Sequence, residues 1–445
     1  MKRFLFLAIC LSPLQYAFTL SVGGSPLKLS EMAILLACLC LPFIRWSRLR
    51  GPGTLPMALL AFLVFLSSVF NLLREDFNRG GVLRGFTREP QDDLMFYAAL
   101  GIFTLIAWKM MSTMDRGRIE KAVVLATWVC ATATLTQILG IVSGSYGLLE
   151  ALGFESEGSA ENFFLPVSTR NGPFLEGQQL GFFCGFALLV CVYRRAWLAA
   201  IAAFLCILYS QSTTAVVGVA VAILAVLLFR FNLKVVFFLL VAGGAAGIAL
   251  AMSERLQGFV AQQFAKLGLF GVSGDFGGAT QSLSIRGTKT NIAWDMMLDH
   301  PMAGVGPGRY SVEAFSYPEA NNLPDYYFRS DHRTIAENLY AQIGSELGLL
   351  ALLAFCLFLV ILLRRVLKQR DAGLLAVLAY AAAAIWTQSS WTFLPIWVAF
   401  ALLASSGGSD RRGGLADDGD DLPGEREGVN PPMPEGRGAF SLRAG

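Results

Sequence analysis

The feature that most constrains this chain is a recurrence. Apolar runs of about twenty residues follow one another along most of its length, each long enough as a helix to cross roughly 30 Å of hydrocarbon. In lipid every backbone N–H and C=O must be satisfied inside the structure, so such a run spans as a helix. Charge agrees, with charged residues at 15% against about a quarter in soluble domains. The fold class expected is an all-α polytopic membrane protein.

The runs read as about twelve transmembrane helices: 1–20, 29–45, 54–73, 94–112, 119–142, 173–193, two short helices within 197–230, then 234–252, 338–363, 371–387 and 390–404. The first run has the basic start of a signal peptide but no small-x-small cleavage site, and is read as a helix. The stretch 197–230 is too long for one span and is broken by the polar turn Ser210–Thr214. Charge fixes the orientation expected. Arg45, Arg48 and Arg50, Arg116 and Arg118, Arg194 and Arg195, Arg230 and Lys234, and Arg364, Arg365, Lys368 and Arg370 all fall on one side. By the positive-inside rule that side is cytoplasmic, with both termini. The chain then divides into a membrane bundle 1–252, a large, partly helical extracytoplasmic loop 253–337, a second bundle 338–406 and a tail 407–445. The tail is rich in Gly, Pro and charge, and reads as disordered. The eight cysteines all sit in apolar runs, which speaks against a disulfide framework or a zinc site.

Chemistry gathers on the outer face. In the large loop, residues 290–300 show an amphipathic pattern with Ile292, Ala293, Met296 and Met297 on one side, ended by Pro301. A glycine-rich turn, Gly304–Gly308, follows. Arg286 stands before this segment and Arg309 after it. The two are either solvated surface arginines or a pair that grips a diphosphate beside exposed backbone amides. Thr334-Ile-Ala-Glu337 reads as a capping box opening the next helix, with Thr334 at the N-cap and Glu337 at N3. The same Glu337 stands where a lipid head group would. Deeper along that helix Glu346 is expected to face the bundle interior. Arg170 is the one cation of the acidic loop 143–172, either an interfacial anchor or a ligand group. His300 and His332 are either solvated or general bases. No Walker loop, HExxH, dinucleotide fingerprint or nucleotide-sugar motif is present, so no cofactor, metal or nucleic acid is implied.

Together these stretches resemble the O-antigen ligase and polymerase superfamily. Arg286 with Trp294 and the run Leu298–Tyr310 resembles its R…W…hP-x-x-GvGpG-x-[FY] signature. Residues 336–353 resemble its [H/E]-N-x-[YL] helix opening, Arg170–Gly181 its R-x-x-G-[TP]-F motif, and Leu208–Gly218 the slot of its S-x-S-R turn. Two positions depart from the ligases. Ser212, Thr213 and Thr214 carry no turn arginine, and Glu337 replaces histidine before Asn338. Glutamate there is more like the exopolysaccharide and capsule polymerases.

The resemblance implies a metal-independent glycosyltransferase, a Wzy-type polysaccharide polymerase working on the outer face of the bacterial inner membrane. Its substrates would be undecaprenyl-pyrophosphate-linked glycans as donor and acceptor, and it would use no cofactor. Its partners would be a chain-length regulator and export machinery. Glu337 would be the base and Arg286 would act on the pyrophosphate, with Arg170, Arg309, His300, His332, Asn338 and Tyr340 as substrate-binding candidates. The alternatives are an O-antigen ligase acting on lipid A core and, outside enzymes, a repeat-unit flippase. A flippase should line its spans with charge, and these spans carry little apart from Glu346.

Overall fold

The computed structural model describes residues 1–22, 25–40, 51–74, 90–155, 162, 164–165, 167–230, 241, 244, 247, 251–266, 277–324, 327, 334–388 and 390–405. Regular structure there is helical apart from one short antiparallel hairpin, Leu20–Val22 against Ser25–Leu27. The helices are α1 (Lys2–Cys10), α2 (Leu29–Cys38), α3 (Thr54–Leu72), α4 (Pro90–Met111), α5 (Arg116–Val142), α6 (Tyr146–Ala151), α7 (Gly177–Arg194), α8 (Trp197–Ser210) and α9 (Thr213–Phe229). There follow α10 (Glu254–Lys266), α11 (Gly277–Asp299), α12 (Tyr310–Glu313), α13 (Leu339–Leu347), α14 (Leu349–Gln369), α15 (Ala372–Ala384) and α16 (Leu394–Ala404).

Among the described residues four helices are long and apolar enough to cross a membrane, α3, α4, α5 and α14, and the five shorter apolar ones are α2, α8, α9, α15 and α16. Their outer faces carry large exposed apolar side chains at helical spacing. On α3 these include Phe62, Phe65, Leu66 and Phe70; on α8, Trp197, Leu198, Ile201, Phe204 and Leu205. Soluble proteins seldom expose so continuous an apolar surface, and lipid is the solvent that suits it. The protein is a multi-pass membrane protein.

The structure redraws several of the expected spans. The first apolar run forms a helix of only 9 residues, α1, followed by turns at Leu11–Pro13 and the hairpin. Pro13 lacks the N–H that a continuing helix would need. The break at Ser210–Thr214 is real: α8 ends at Gln211 in a left-handed conformation, and α9 begins with Ser212 as its N-cap. The run 338–363 is two helices, because Gly348 at φ +87 interrupts it and Leu349 N–H turns to the Pro301 carbonyl instead. The expected span 234–252, the end of span 29–45 and the tail 407–445 lie largely or wholly outside the described residues.

Two apolar clusters position the site. Within the bundle, Trp108 of α4, Phe358 of α14 and Phe400 of α16 pack edge to face, with ring centroids 5.2 and 5.4 Å apart. Each such pair adds about 0.5–1.5 kcal/mol beyond its burial. Over it sits a smaller cluster in which Ile292, Ala293 and Met296 of α11 meet Tyr310, Ala336 and Ala341. The amphipathic face read from the sequence is thus buried where expected. It belongs, however, to a longer helix that begins at Gly277 and contains Arg286.

Candidate functional site

Arg286 and Lys289 lie three residues apart on α11, so they share a face. Both reach Glu337. Arg286 Nε is 3.0 Å from Glu337 Oε2, and Lys289 Nζ donates to Glu337 Oε1 at 2.9 Å. The two cations differ. Lys289 is buried, with its ammonium 4.3 Å from the centroid of the Tyr327 ring, while Arg286 is half-exposed. Burial alone would raise the Glu337 carboxyl, but Arg286 and Lys289 outweigh it and hold it below the ordinary glutamate value.

The backbone here is not the capping box expected. Asn338, not Thr334, is the N-cap of α13, its side-chain oxygen accepting from Tyr340 N–H at 3.0 Å and Ala341 N–H at 3.1 Å. Thr334 is buried short of the helix, and Thr290 Oγ1 donates to the Ala336 carbonyl at 3.1 Å. Segment 334–337 is therefore laid along α11. Glu337 adopts φ +56, a left-handed conformation that costs a non-glycine residue roughly 1–2 kcal/mol. Pairing with two cations outcompetes a local cap, and strain of this kind gathers at functional sites.

Arg286 also faces a cavity of about 520 Å³. Arg170 and Lys266 line it with Arg286; the polar turn Ser210–Thr214 forms its floor; Val217, Ala382, Ala383 and Trp386 form an apolar side. The N-terminus of α9 opens at this turn, adding the partial positive charge of a helix start. Close backbone approach builds the corner. A Cβ on Gly177 would stand 2.8 Å from the Ser210 carbonyl, and one on Gly181 2.2 Å from Ser212 Cβ. Two glycines one turn apart thus let α7 lie against the turn and bring Arg170 beside it. Burial, then Arg286, pulls the pKa of Arg170 down. Glu176, exposed just before α7, is the second carboxylate of this neighbourhood. The charges of Glu337, Arg286, Lys289 and Arg170 act on it in opposing senses.

The other predicted residues sit elsewhere. Arg309 does not line the cavity; it is buried and its guanidinium bonds Glu313 at 2.7 Å. The glycine-rich turn offers its amides to protein rather than to a ligand. Val305 N–H donates to the Ser345 carbonyl, Gly306 N–H to the Glu346 carbonyl and Gly308 N–H to Glu346 Oε2. Gly304, at φ +61, lies so close that a Cβ would meet the Glu346 backbone at 2.4 Å. The turn is a clasp on the α13–α14 break, which accounts for its glycines. His300 closes α11 and does not line the cavity. His332 lies outside the described residues. Tyr340 braces the apolar side, its hydroxyl donating to the Ala382 carbonyl at 3.0 Å and its ring 5.8 Å from that of Trp386.

Lys266, Lys289 and Glu176 carry no part in the sequence reading, yet they surround the same charges. The signal for Lys289 was its i, i+3 spacing from Arg286 on one helix. Lys266 gave none, because only the docking of α10 brings it near Arg286.

The model of the O-antigen ligase family matches residues 198–356. That range holds the polar turn, Lys266, Arg286, Lys289 and Glu337, while Arg170 and Trp386 lie outside it. The match supports the superfamily resemblance carried by the motifs. No curated protein gives a significant match to the chain.

Proposed function

We propose that this protein is an integral-membrane glycosyltransferase that polymerises undecaprenyl-pyrophosphate-linked repeat units into a cell-surface polysaccharide. It acts at the outer face of the bacterial inner membrane, with both termini cytoplasmic. The observation that carries this reading is one cavity with arginines and a lysine at one side, an apolar side built by helices α9 and α15, and a carboxylate shared with one of its arginines. A lipid-linked diphosphate has the same division: a doubly charged head on a hydrocarbon tail.

In this reading Arg170 and Arg286 hold the donor diphosphate, as guanidinium groups suit phosphate oxygens. The acceptor hydroxyl oxygen bonds the anomeric carbon. The bond from that carbon to the phosphate oxygen breaks, and its electron pair leaves on the diphosphate, where fixed cations stabilise the developing charge. The hydroxyl proton passes to Glu337. A carboxylate gripped by two cations is a weak base. A diphosphate competes for Arg286, and as the guanidinium turns to it Glu337 becomes more basic. Base strength is then tied to donor binding. The side chains supply the positive charge that a metal would, so turnover persists with a chelator present.

The polymerase is preferred to the ligase because the turn Ser212–Thr214 bears no arginine and Glu337 stands before Asn338. The ligase is kept as the second reading, since the matching family is described as O-antigen ligase. Glycan size and location in cells lacking the protein separate them. A polymerase leaves single repeat units at the outer leaflet or the surface, a ligase leaves full-length chains on the carrier, and a flippase leaves units on the cytoplasmic leaflet. Either of the last two results overturns the proposal.

A further inference from the structure

Charge balance in the cavity does not close on the arginines alone. Among the described residues, four cations, Arg170, Lys266, Arg286 and Lys289, stand against two carboxylates: Glu337, ion-paired to both Arg286 and Lys289, and Glu176, which Arg286, Lys289 and Arg170 all influence. Arg170 and Lys266 have no carboxylate within ion-pair distance among those residues, and both line the cavity. A diphosphate joining a lipid to a sugar has two phosphodiester-like groups, hence about two negative charges, since neither keeps the second ionisable proton of a phosphate monoester. Arg170 can neutralise one of them.

Lys266 is placed rather than adrift. Helix α10 is amphipathic, and its Phe259 is buried with its ring 5.3 Å from that of Phe164. One turn on, Gln263 is buried; Thr213 Oγ1 donates to its Oε1 at 2.7 Å, and its Nε2 donates to the Gln211 carbonyl at 3.5 Å. Lys266 follows on the same face, its Nζ donating to that same carbonyl at 3.4 Å. A cation set in a partly buried site beside two arginines is unfavourable unless an anion arrives.

We propose that Lys266 is a third diphosphate-binding residue, carried to the cavity by α10 and fixed there by the bonds of Gln263 to the Ser210–Thr214 turn. This rests on the reading that the cavity takes a lipid-linked diphosphate. It also sets a pH dependence. Among the described residues the charged groups acting on Lys266 are Arg170 and Arg286, and the turn beneath it brings none. Burial first, then these two arginines, bring the pKa of Lys266 down to about 7. A bound diphosphate favours the protonated form, so binding takes up a proton and weakens as pH rises above that value.

The test uses the full chain in nanodiscs and a water-soluble prenyl-diphosphoryl sugar, whose own charge is constant across the range. The wild type should bind about tenfold more weakly at about pH 8 than at about pH 6, as expected for one proton lost near 7. Lys266→Met should bind about tenfold more weakly at the lower pH and show no slope. Lys266→Arg should stay tight at both, its charge being permanent. Size-exclusion profiles confirm that each variant is folded. If Lys266→Met keeps both the affinity and the slope of the wild type while Arg286→Ala binds weakly, Lys266 is no ligand and the cavity reading stands. If Arg170→Ala and Arg286→Ala bind like the wild type, the diphosphate is not held in this cavity and both ideas fall.

Discussion

Two carboxylates flank the short helix α13, and their surroundings differ. Glu346, at its end, is 2% exposed, and its donors include Gly308 N–H at 3.0 Å, Trp391 Nε1 at 2.9 Å and Gln342 Nε2 at 3.1 Å. It fastens the glycine-rich turn and α16's approach to the α13–α14 break. Glu337, just before the helix, is held by two cations, of which Arg286 is half-exposed and opens on the cavity. The first arrangement is closed and spends its bonds on the fold. The second has a partner that a ligand can draw away. A buried acid is thus a clue to chemistry only when its partners can be exchanged.

The sharpest way to break this comparison is to neutralise both. Glu337→Gln should lower turnover by ~10²–10⁴-fold, the usual contribution of a general base, measured in protein that size-exclusion shows to be folded, since the buried Lys289 loses its carboxylate. Retained turnover in a folded Glu337→Gln protein would make this residue a structural group like Glu346. Glu346→Ala should act through stability instead. It leaves buried N–H groups of Gly308 and Trp391 without their carboxylate, at about 1–3 kcal/mol each, read as a lower melting temperature and poorer yield of folded protein.

Smaller changes sharpen the contrast. Lys289→Met removes one of the two cations holding Glu337 down, so the carboxyl rises and the acid limb of the rate profile moves to higher pH. Lys289→Arg should restore the limb, whereas a merely structural lysine would change yield and leave the limb in place. The least effect on donor binding is expected from Arg309→Met. Its guanidinium is committed to Glu313, so donor affinity should hold within about twofold while stability falls by about 1–3 kcal/mol. A large loss of affinity would return Arg309 to the site.

Legibility in the sequence followed the range of the forces. Apolar runs and the polar break at Ser210–Thr214 depend on local composition, and the helices α8 and α9 appear where that break predicts. Separate roles for Arg286 and Glu337 were implied only by the resemblance, and their contact at 3.0 Å was not foreseen. The capping box at Thr334 was misread because a local pattern was weighed without its rivals. Lys289 and Arg286 reach across from α11 and take Glu337 before it can cap. The glycines of 304–308 looked like a ligand cradle, since a tight turn and a clasp on a neighbouring backbone need the same residues. Lys266 was invisible for another reason: Phe259 and Gln263, not Lys266 itself, decide where it stands.

The central claim is that the cation-lined cavity and Glu337 together transfer a glycan from a lipid diphosphate to a lipid-linked acceptor. Its most direct test is purified protein in liposomes, given undecaprenyl-diphosphoryl repeat units as donor and acceptor with a chelator present, and product length read by gel or mass spectrometry. The account predicts long chains from the wild type, none from folded Glu337→Gln, and released undecaprenyl diphosphate in step with each unit added. Chains of wild-type length from Glu337→Gln, or no chains from the wild type until a metal is supplied, would contradict it.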